Sequence, residues 1–359
     1  MTFVPRIDRI FRRCIDDFSL DLRGLTVYTE AATGAYLYTP ILAAVAGAEH
    51  VFAYTRDSRY GRRDDVARMT SEAAEAWGVA ERVRVRFEKT ESDVAAADII
   101  TNSGFVRPID AQLVSWMKPT AVVPLMWETW EFREEQLDLT ACRAKGVLVL
   151  GTHEGNPPLS MYEYGGFFGM KLLFELGLEG HKTRVIILGG APGLGRAMHA
   201  HFTAVGMDVA WFADDDRDAR PYAALPRFFA ERGARYDAII VAEHTDKRLL
   251  LGENGLLTYA RIRDANPACC IGVISGAIDR DGLASSGLTY FPKVLQPWGL
   301  MSYQAGDLGP LPVIELYAGG LKVGEAMARA RLRGLSVDDA RAYALAHAPA
   351  MDFVTHETH

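Results

Sequence analysis

Several short stretches group side chains able to move protons or grip a polar ligand. In "GTHEGNPP", His153 stands beside Glu154. An unperturbed imidazole titrates near neutrality, which makes His153 the first candidate for acid/base work, the alternative being a hydrogen-bonded loop histidine. In "PLMWETWEFR", Trp127, Glu128, Trp130 and Glu131 form an aromatic and acidic set suited to orienting an amine-bearing or sugar-like substrate. Glu128 and Glu131 are further candidates for proton transfer, although the same glutamates would also favour a helix start. "TEAATGAYLYTP" offers Glu30 and Tyr36 in the loop after a strand, where ligands of open α/β sheets bind. "YTRDSRYGRRDD" bunches Arg56 and Arg59 with Arg62 and Arg63, a set that could hold a carboxylate or phosphate or simply coat the surface. Lys322, in "AGGLKVGEAM", adjoins Gly319 and Gly320, where a close backbone approach to a ligand is conceivable.

The longest chemical signal is "RVIILGGAPGLGRAMHAHFTAVGMDVAWFADDD", residues 184–216. It reads as strand, glycine-rich turn, helix, strand and acid. A dinucleotide-binding turn needs glycines for a tight bend, for close approach of the pyrophosphate and for helix-to-strand packing. Gly189, Gly190, Gly193 and Gly195, with Leu194, occupy such places, and the helix that follows would present unpaired N–H groups to a phosphate. The segment is one residue longer than a regular G-x-G-x-x-G counted from Gly189. Asp214 ends the second strand, where a carboxylate can accept the adenosine ribose hydroxyls. The nearest cation in sequence, Arg217, follows three acids. NAD is therefore expected ahead of NADP.

These groups must be held by α/β architecture. Strand-like runs "LTVYT", "HVFAYT", "RVRVRF", "ADIIT", "TAVVPL" and "GVLVLG" alternate with helix-length segments. A second series follows in "TRVIILG", "MDVAWFA", "YDAIIVA", "CCIGVIS" and "LTYFP". Such alternation predicts parallel sheets covered by helices. The expected layout is a substrate domain over 1–155, a Rossmann dinucleotide domain over 156–304, and C-terminal helices over 305–359 returning to the first domain without further strands.

The 359 residues carry a net charge of −7, with 49% hydrophobic and 24% charged residues. That balance disfavours a nucleic-acid partner. No apolar run reaches membrane-spanning length and the start does not read as a signal peptide, so a cytoplasmic protein without membrane association is expected. The four cysteines, Cys14, Cys142, Cys269 and Cys270, have no metal-binding spacing, and no metal is expected.

Four segments, "ADIITNSGFVRPID", "NPPLSMYEYGGFFGMKLL", the glycine-rich turn and "IGVISGAIDRDGL", together resemble the formate/glycerate dehydrogenase superfamily, which includes the D-2-hydroxyacid dehydrogenases and is related to S-adenosylhomocysteine hydrolase and alanine dehydrogenase. The resemblance implies two doubly wound parallel-sheet domains, a Rossmann cofactor domain inserted into a flavodoxin-like substrate domain. It further implies an active site in the cleft, NAD-dependent redox chemistry on a small-molecule substrate, and a homodimer. Ser275 and Gly276 stand where that family has its catalytic arginine, beside the expected cofactor site. Trp298 follows Pro297 where the family has a proline–histidine pair, and is assigned to the substrate. The usual catalytic triad is thus missing. An NAD(P)-dependent oxidoreductase of a hydroxy, keto or amino compound with a different proton-transfer set is expected. The alternatives are a lyase or hydrolase using tightly bound NAD, or a non-catalytic NAD-binding sensor or structural protein.

Overall fold

The computed structural model describes residues 4–190 and 193–353. Two compact units divide the chain: one runs to Ser160 and resumes at Gly309, and the other is Met161–Leu308. These divisions fall after 160 and 308, a few residues beyond those read from the sequence.

The first unit carries β1 (Thr26–Glu30), β2 (His50–Tyr54), β3 (Val83–Arg86), β4 (Ile99–Ile100), β5 (Val122–Pro124) and β6 (Leu148–Thr152), all parallel. Every residue of β1, β4, β5 and β6 is buried, as sheets covered on both faces require. Short crossover helices start at side-chain caps: Thr90, Asp110 and Asp138 accept the backbone N–H of Asp93, Leu113 and Ala141. The long helix Pro310–Leu332 opens with prolines, which fit a first helical turn, and lies directly on the strands. A Cβ on Gly320 would stand 2.7 Å from Met126 Sδ, and one on Gly324 2.9 Å from Ile99 Cγ2. These glycines serve packing of the helix on the sheet.

The second unit carries β7 (Arg184–Leu188), β8 (Asp208–Phe212), β9 (Ala238–Ala242), β10 (Cys270–Ser275) and β11 (Tyr290–Phe291), again parallel. Helix Gly165–Glu175 packs on helix Leu194–Ala204 through a glycine face. Cβ atoms on Gly165, Gly166 and Gly169 would meet Leu194 O at 2.5 Å, His201 Cγ at 2.2 Å and Phe202 Cζ at 2.5 Å. The run "GGFFG" is therefore a helix-crossing device.

The α/β class with two parallel sheets is as expected, and the strand orders refine it. The first sheet runs β3-β2-β1-β4-β5-β6, the 3-2-1-4-5-6 order of dinucleotide folds, whereas the flavodoxin order 2-1-3-4-5 belongs to the second sheet, β8-β7-β9-β10-β11. A further correction concerns the C-terminal region. After its two helices, β12 (Ala350–Met351) pairs antiparallel with β6, a two-residue strand too short to leave a periodic signal. Among the described residues no helix is long and apolar enough to cross a membrane.

Candidate active site

In a doubly wound sheet, ligands bind at the carboxyl ends of the strands, where the winding direction reverses. In the first unit that reversal lies between β1 and β4. Glu30 closes β1, buried at 5% exposure. Its Oε2 accepts the Phe105 N–H at 2.9 Å and its Oε1 accepts the Tyr317 hydroxyl at 3.0 Å. Tyr317 Oη also lies 2.9 Å from Ser103 Oγ, which is 2.7 Å from Thr101 Oγ1. Thr101 in turn donates to Thr29 Oγ1 at 2.9 Å, completing a buried polar chain across β1 and β4. Burial pushes the Glu30 carboxyl above its ordinary value, against the opposing hydrogen bonds from Phe105 and Tyr317 and the charge of Arg107. Burial, then Glu30, pushes the Tyr317 phenol far up, so it stays neutral. Tyr36 meets the Tyr317 ring edge-on at 6.2 Å.

Next along the same edge, Asn102 Oδ1 accepts the Met126 N–H at 2.8 Å, and Thr152 N donates to Trp127 O at 2.9 Å. These bonds extend the β4–β5–β6 pairing past its ladder and fix the segments carrying Trp127, Glu128, His153 and Glu154. Glu128 is buried. Its Oε2 accepts Trp130 Nε1 at 3.1 Å and its Oε1 accepts the Glu154 N–H at 3.1 Å. His153, partly exposed, places Nδ1 3.7 Å from Glu128 Oε1. Burial, then the Glu128 charge, raises Glu131 to about 8. Burial, then Glu131 and Glu128, holds Glu154 well above the carboxylate range. Glu131 can therefore keep and donate a proton near neutrality, because burial and the neighbouring Glu128 disfavour its charged form. No group of three or more candidate ligands among the described residues could hold a metal ion.

Arg107 completes this edge and was not singled out by the sequence reading. Its guanidinium carbon lies 4.7 Å over the Trp127 ring, and its Nη1 donates to Gln136 Oε1 at 2.5 Å. The other arginines of interest lie apart. Arg56, exposed, sits 5.8 Å over Phe105, and Arg59, exposed, is bound to the Tyr60 hydroxyl at 2.5 Å. Lys322 donates to Ser19 O at 2.9 Å and lies 3.1 Å from Glu325, whose carboxylate accepts the Asp21 N–H in the segment leading into β1. It belongs to a structural ion-pair set at the amino ends of the strands, away from Glu30, which corrects its expected role near a ligand.

In the second unit, Gly189 and Gly190 adopt the left-handed φ values of +85° and +76° that a tight bend requires. A Cβ on Gly195 would stand 2.2 Å from Gly189 O. These three glycines make the bend and seat helix Leu194–Ala204 on β7. Gly193, the N-cap of that helix, faces the Tyr162 ring, whose Cγ would lie 2.6 Å from an added Cβ. Glu243, at the end of β9, is buried against Gly189. Burial alone would raise this carboxyl, but hydrogen bonds from the Tyr222 hydroxyl, Thr245 and Asp246 outweigh it and hold the group below its ordinary value.

Asp214 lies just after β8. Its Oδ1 accepts the Tyr222 N–H at 2.9 Å, and its Oδ2 is 2.9 Å from Arg248 Nη1. The cation nearest this acid is thus Arg248, not Arg217, which instead lies 3.8 Å from Asp218. Arg248 escaped a linear reading because it is 34 positions away in sequence, on the loop after β9. Ser275 is buried at the end of β10, followed by Gly276 at φ +138°. Trp298 donates its Nε1–H to Asp246 O at 3.1 Å, and Lys247 Nζ lies 4.9 Å over its ring.

A dipicolinate synthase component from Bacillus halodurans shares this fold with a TM-score of 0.51 at 13% identity, covering 86% of this chain and 98% of that one. At that identity the likeness is one of fold alone. Transhydrogenase from Sinorhizobium meliloti (TM-score 0.48, 16% identity, 91% of this chain and 99% of that one) is also similar. So is NAD+-bound 3-phosphoglycerate dehydrogenase from Entamoeba histolytica (TM-score 0.46, 10% identity, 87% and 97%). No protein-family model and no curated protein matches the sequence.

Proposed function

We propose that the protein is a nicotinamide-dinucleotide-dependent oxidoreductase acting on a small polar metabolite that bears a hydroxyl, keto or amino group. The observation that carries this reading is the acid, tyrosine and arginine set at the carboxyl ends of the first sheet, within a fold whose other unit has a glycine bend before a helix N-terminus. The left-handed bend at Gly189 and Gly190 fits a dinucleotide: no side chain can stand there, and the helix that begins at Leu194 presents its N-terminus. Asp214 would take the ribose hydroxyls, since each of its oxygens keeps a second acceptor position beside Tyr222 N and Arg248. NAD is favoured over NADP because Arg248 already lies between Asp214 and Asp246, at 2.9 and 3.2 Å, so two acids would oppose a 2′-phosphate. When bound, the dinucleotide supplies or accepts hydride.

The chain's own residues handle the proton. His153 is exposed enough to reach a ligand, and its Nδ1 lies 3.7 Å from Glu128 Oε1. Glu131, neutral below about 8, is a donor at the same edge. Tyr317 and Glu30 hold the floor of the site through their mutual hydrogen bond.

Calorimetric titration with NAD and NADP, together with NADH release across a panel of hydroxy, keto and amino compounds, tests the reading. Replacement of His153 by Asn should lower turnover by about 10²–10⁴-fold and leave NAD affinity unchanged. Failure of both dinucleotides to bind refutes the reading, and turnover without stoichiometric NADH favours a lyase or hydrolase step instead.

A further inference from the structure

Trp211, which the sequence reading passed over, brings its indole N–H to the glycine bend. It lies on β8 opposite Ile187 of β7, is 3% exposed, and clusters with Phe168, Met198 and Phe202 from helices Gly165–Glu175 and Leu194–Ala204. Its Nε1–H donates to Gly189 O at 2.8 Å, a buried bond. The imidazole of His199 stacks on the indole, with ring centroids 5.7 Å apart and planes 28° from parallel. The core and this imidazole together hold the indole in one orientation.

The bend needs that bond for two reasons. Gly189 is buried, and a buried carbonyl without a donor is costly. Its N–H still follows the β7–β8 pairing, donating to Phe212 O at 2.8 Å, and the next carbonyl, Gly190 O, accepts the Gly195 N–H at 2.6 Å. Gly189 O is met by the indole, since the nearby Glu243 carboxylate is itself an acceptor and cannot serve it. The second reason is direction. The peptide joining Gly189 and Gly190 is flanked by two residues without Cβ, both at left-handed φ, so its rotation meets little steric resistance. With the carbonyl turned into the fold, the end of the strand offers an anion its backbone N–H groups; with the peptide reversed, a carbonyl oxygen of partial negative charge faces the anion instead. An indole N–H is a donor only and selects the first arrangement. The glycine segment is one residue longer than the regular pattern, so spacing alone does not set the bend, and a side chain from the neighbouring strand does.

We propose that Trp211 is a positioning residue for the dinucleotide, its indole N–H fixing the Gly189–Gly190 peptide so that the bend meets the pyrophosphate with donors rather than with a carbonyl oxygen. The proposal rests on the oxidoreductase reading, in which this bend holds the dinucleotide, and adds to it a residue that the glycine spacing does not encode.

The test uses the full-length chain and calorimetry with NAD and ADP, with adenosine measured by displacement of NAD. Trp211→Phe keeps an aromatic ring and removes the N–H. It should weaken NAD and ADP binding by about tenfold and leave adenosine, which has no phosphate, bound as in the parent. A packing role alone would weaken all three alike. Replacing Trp211 with benzothienylalanine, which has sulfur in place of the N–H and nearly the same ring shape, should reproduce the loss and keeps the test decisive if Trp211→Phe does not fold. In the parent without ligand, the indole N–H resonance that Trp211→Phe removes should exchange slowly with solvent. The proposal is overturned if the sulfur isostere binds NAD as the parent does, if adenosine affinity falls together with that of NAD, or if that indole proton exchanges freely. Failure of the parent to bind NAD, NADP or ADP refutes the dinucleotide reading and the proposal together. Binding by the parent that the isostere leaves unchanged refutes only the role of Trp211.

Discussion

Replacing Glu131 by Gln tests the carboxyl cluster through stability against pH. Glu131 is raised from an ordinary value of 4.5 to about 8, by burial first and by Glu128 second. A carboxyl whose folded value is raised binds its proton more tightly in the folded state. Its stabilising contribution is therefore complete below about 4.5 and is lost as pH rises through about 8. Between those limits the folded chain holds one proton that the unfolded chain has released. Stability then falls by about 1.4 kcal/mol per pH unit from this group alone. From about pH 6 to about pH 7.5 the loss is ~2 kcal/mol, and glutamine, with no proton to release, should remove it. Urea unfolding of both proteins at the two pH values, with hydrogen exchange read on the 127–131 peptide, measures the difference. Parallel pH profiles for parent and variant would refute the argument that Glu131 is neutral in the folded protein.

Three further outcomes are expected. Tyr317→Phe should destabilise the first unit by about 1–3 kcal/mol, since Glu30 and Ser103 lose a buried partner, and unchanged urea midpoints would show that the polar chain is not maintained in solution. NAD should bind more tightly than NADP, with the preference narrowed in Asp214→Ala; equal or tighter NADP binding by the parent would remove Asp214 from the ribose site. Phe167 and Phe174, both 55% exposed on helix Gly165–Glu175, should lie in a homodimer interface. Light scattering at micromolar concentration should give a dimer mass that falls to a monomer's in a Phe167→Ser, Phe174→Ser double variant, and a monomeric parent would exclude the assembly.

The eleven parallel strands were legible because buried parallel strands read as apolar runs between helix-length segments, and the glycine bend because positive φ demands glycine. The grouping of the site was only partly legible. Glu128, Glu131 and His153 follow consecutive strands, so the carboxyl-end rule finds them, as it finds Glu30. Arg107 obeys the same rule, in "NSGFVRP" after "ADIIT", but was passed over for the bunched arginines at 56–63. Bunched like charges repel and seek solvent, whereas a lone arginine among apolar neighbours is the one that becomes sheltered. Tyr317 lies 287 positions from its partner Glu30, a pairing no local pattern encodes. Lys322 was misplaced because helical spacing does not reveal which side meets the sheet. Five residues from Tyr317, it is turned by roughly 140° and shifted by about 7.5 Å along the axis.

The interruption of the first unit between Ser160 and Gly309 has a consequence for biosynthesis. When β6 leaves the ribosome, Glu30 and Ser103 have no Tyr317 to join, the strands still lack the helix that covers them, and roughly 150 residues remain to be translated before that helix begins. At about 5–20 residues per second this is roughly 8–30 s. The second unit is continuous in sequence and can finish within that interval, so the first unit to begin is the last to close. Throughout the delay a half-built sheet with an exposed apolar face depends on its surroundings, chaperones included, to stay unaggregated. Slow translation or truncation near the C-terminus should therefore harm the N-terminal half of this protein more than the segment made between.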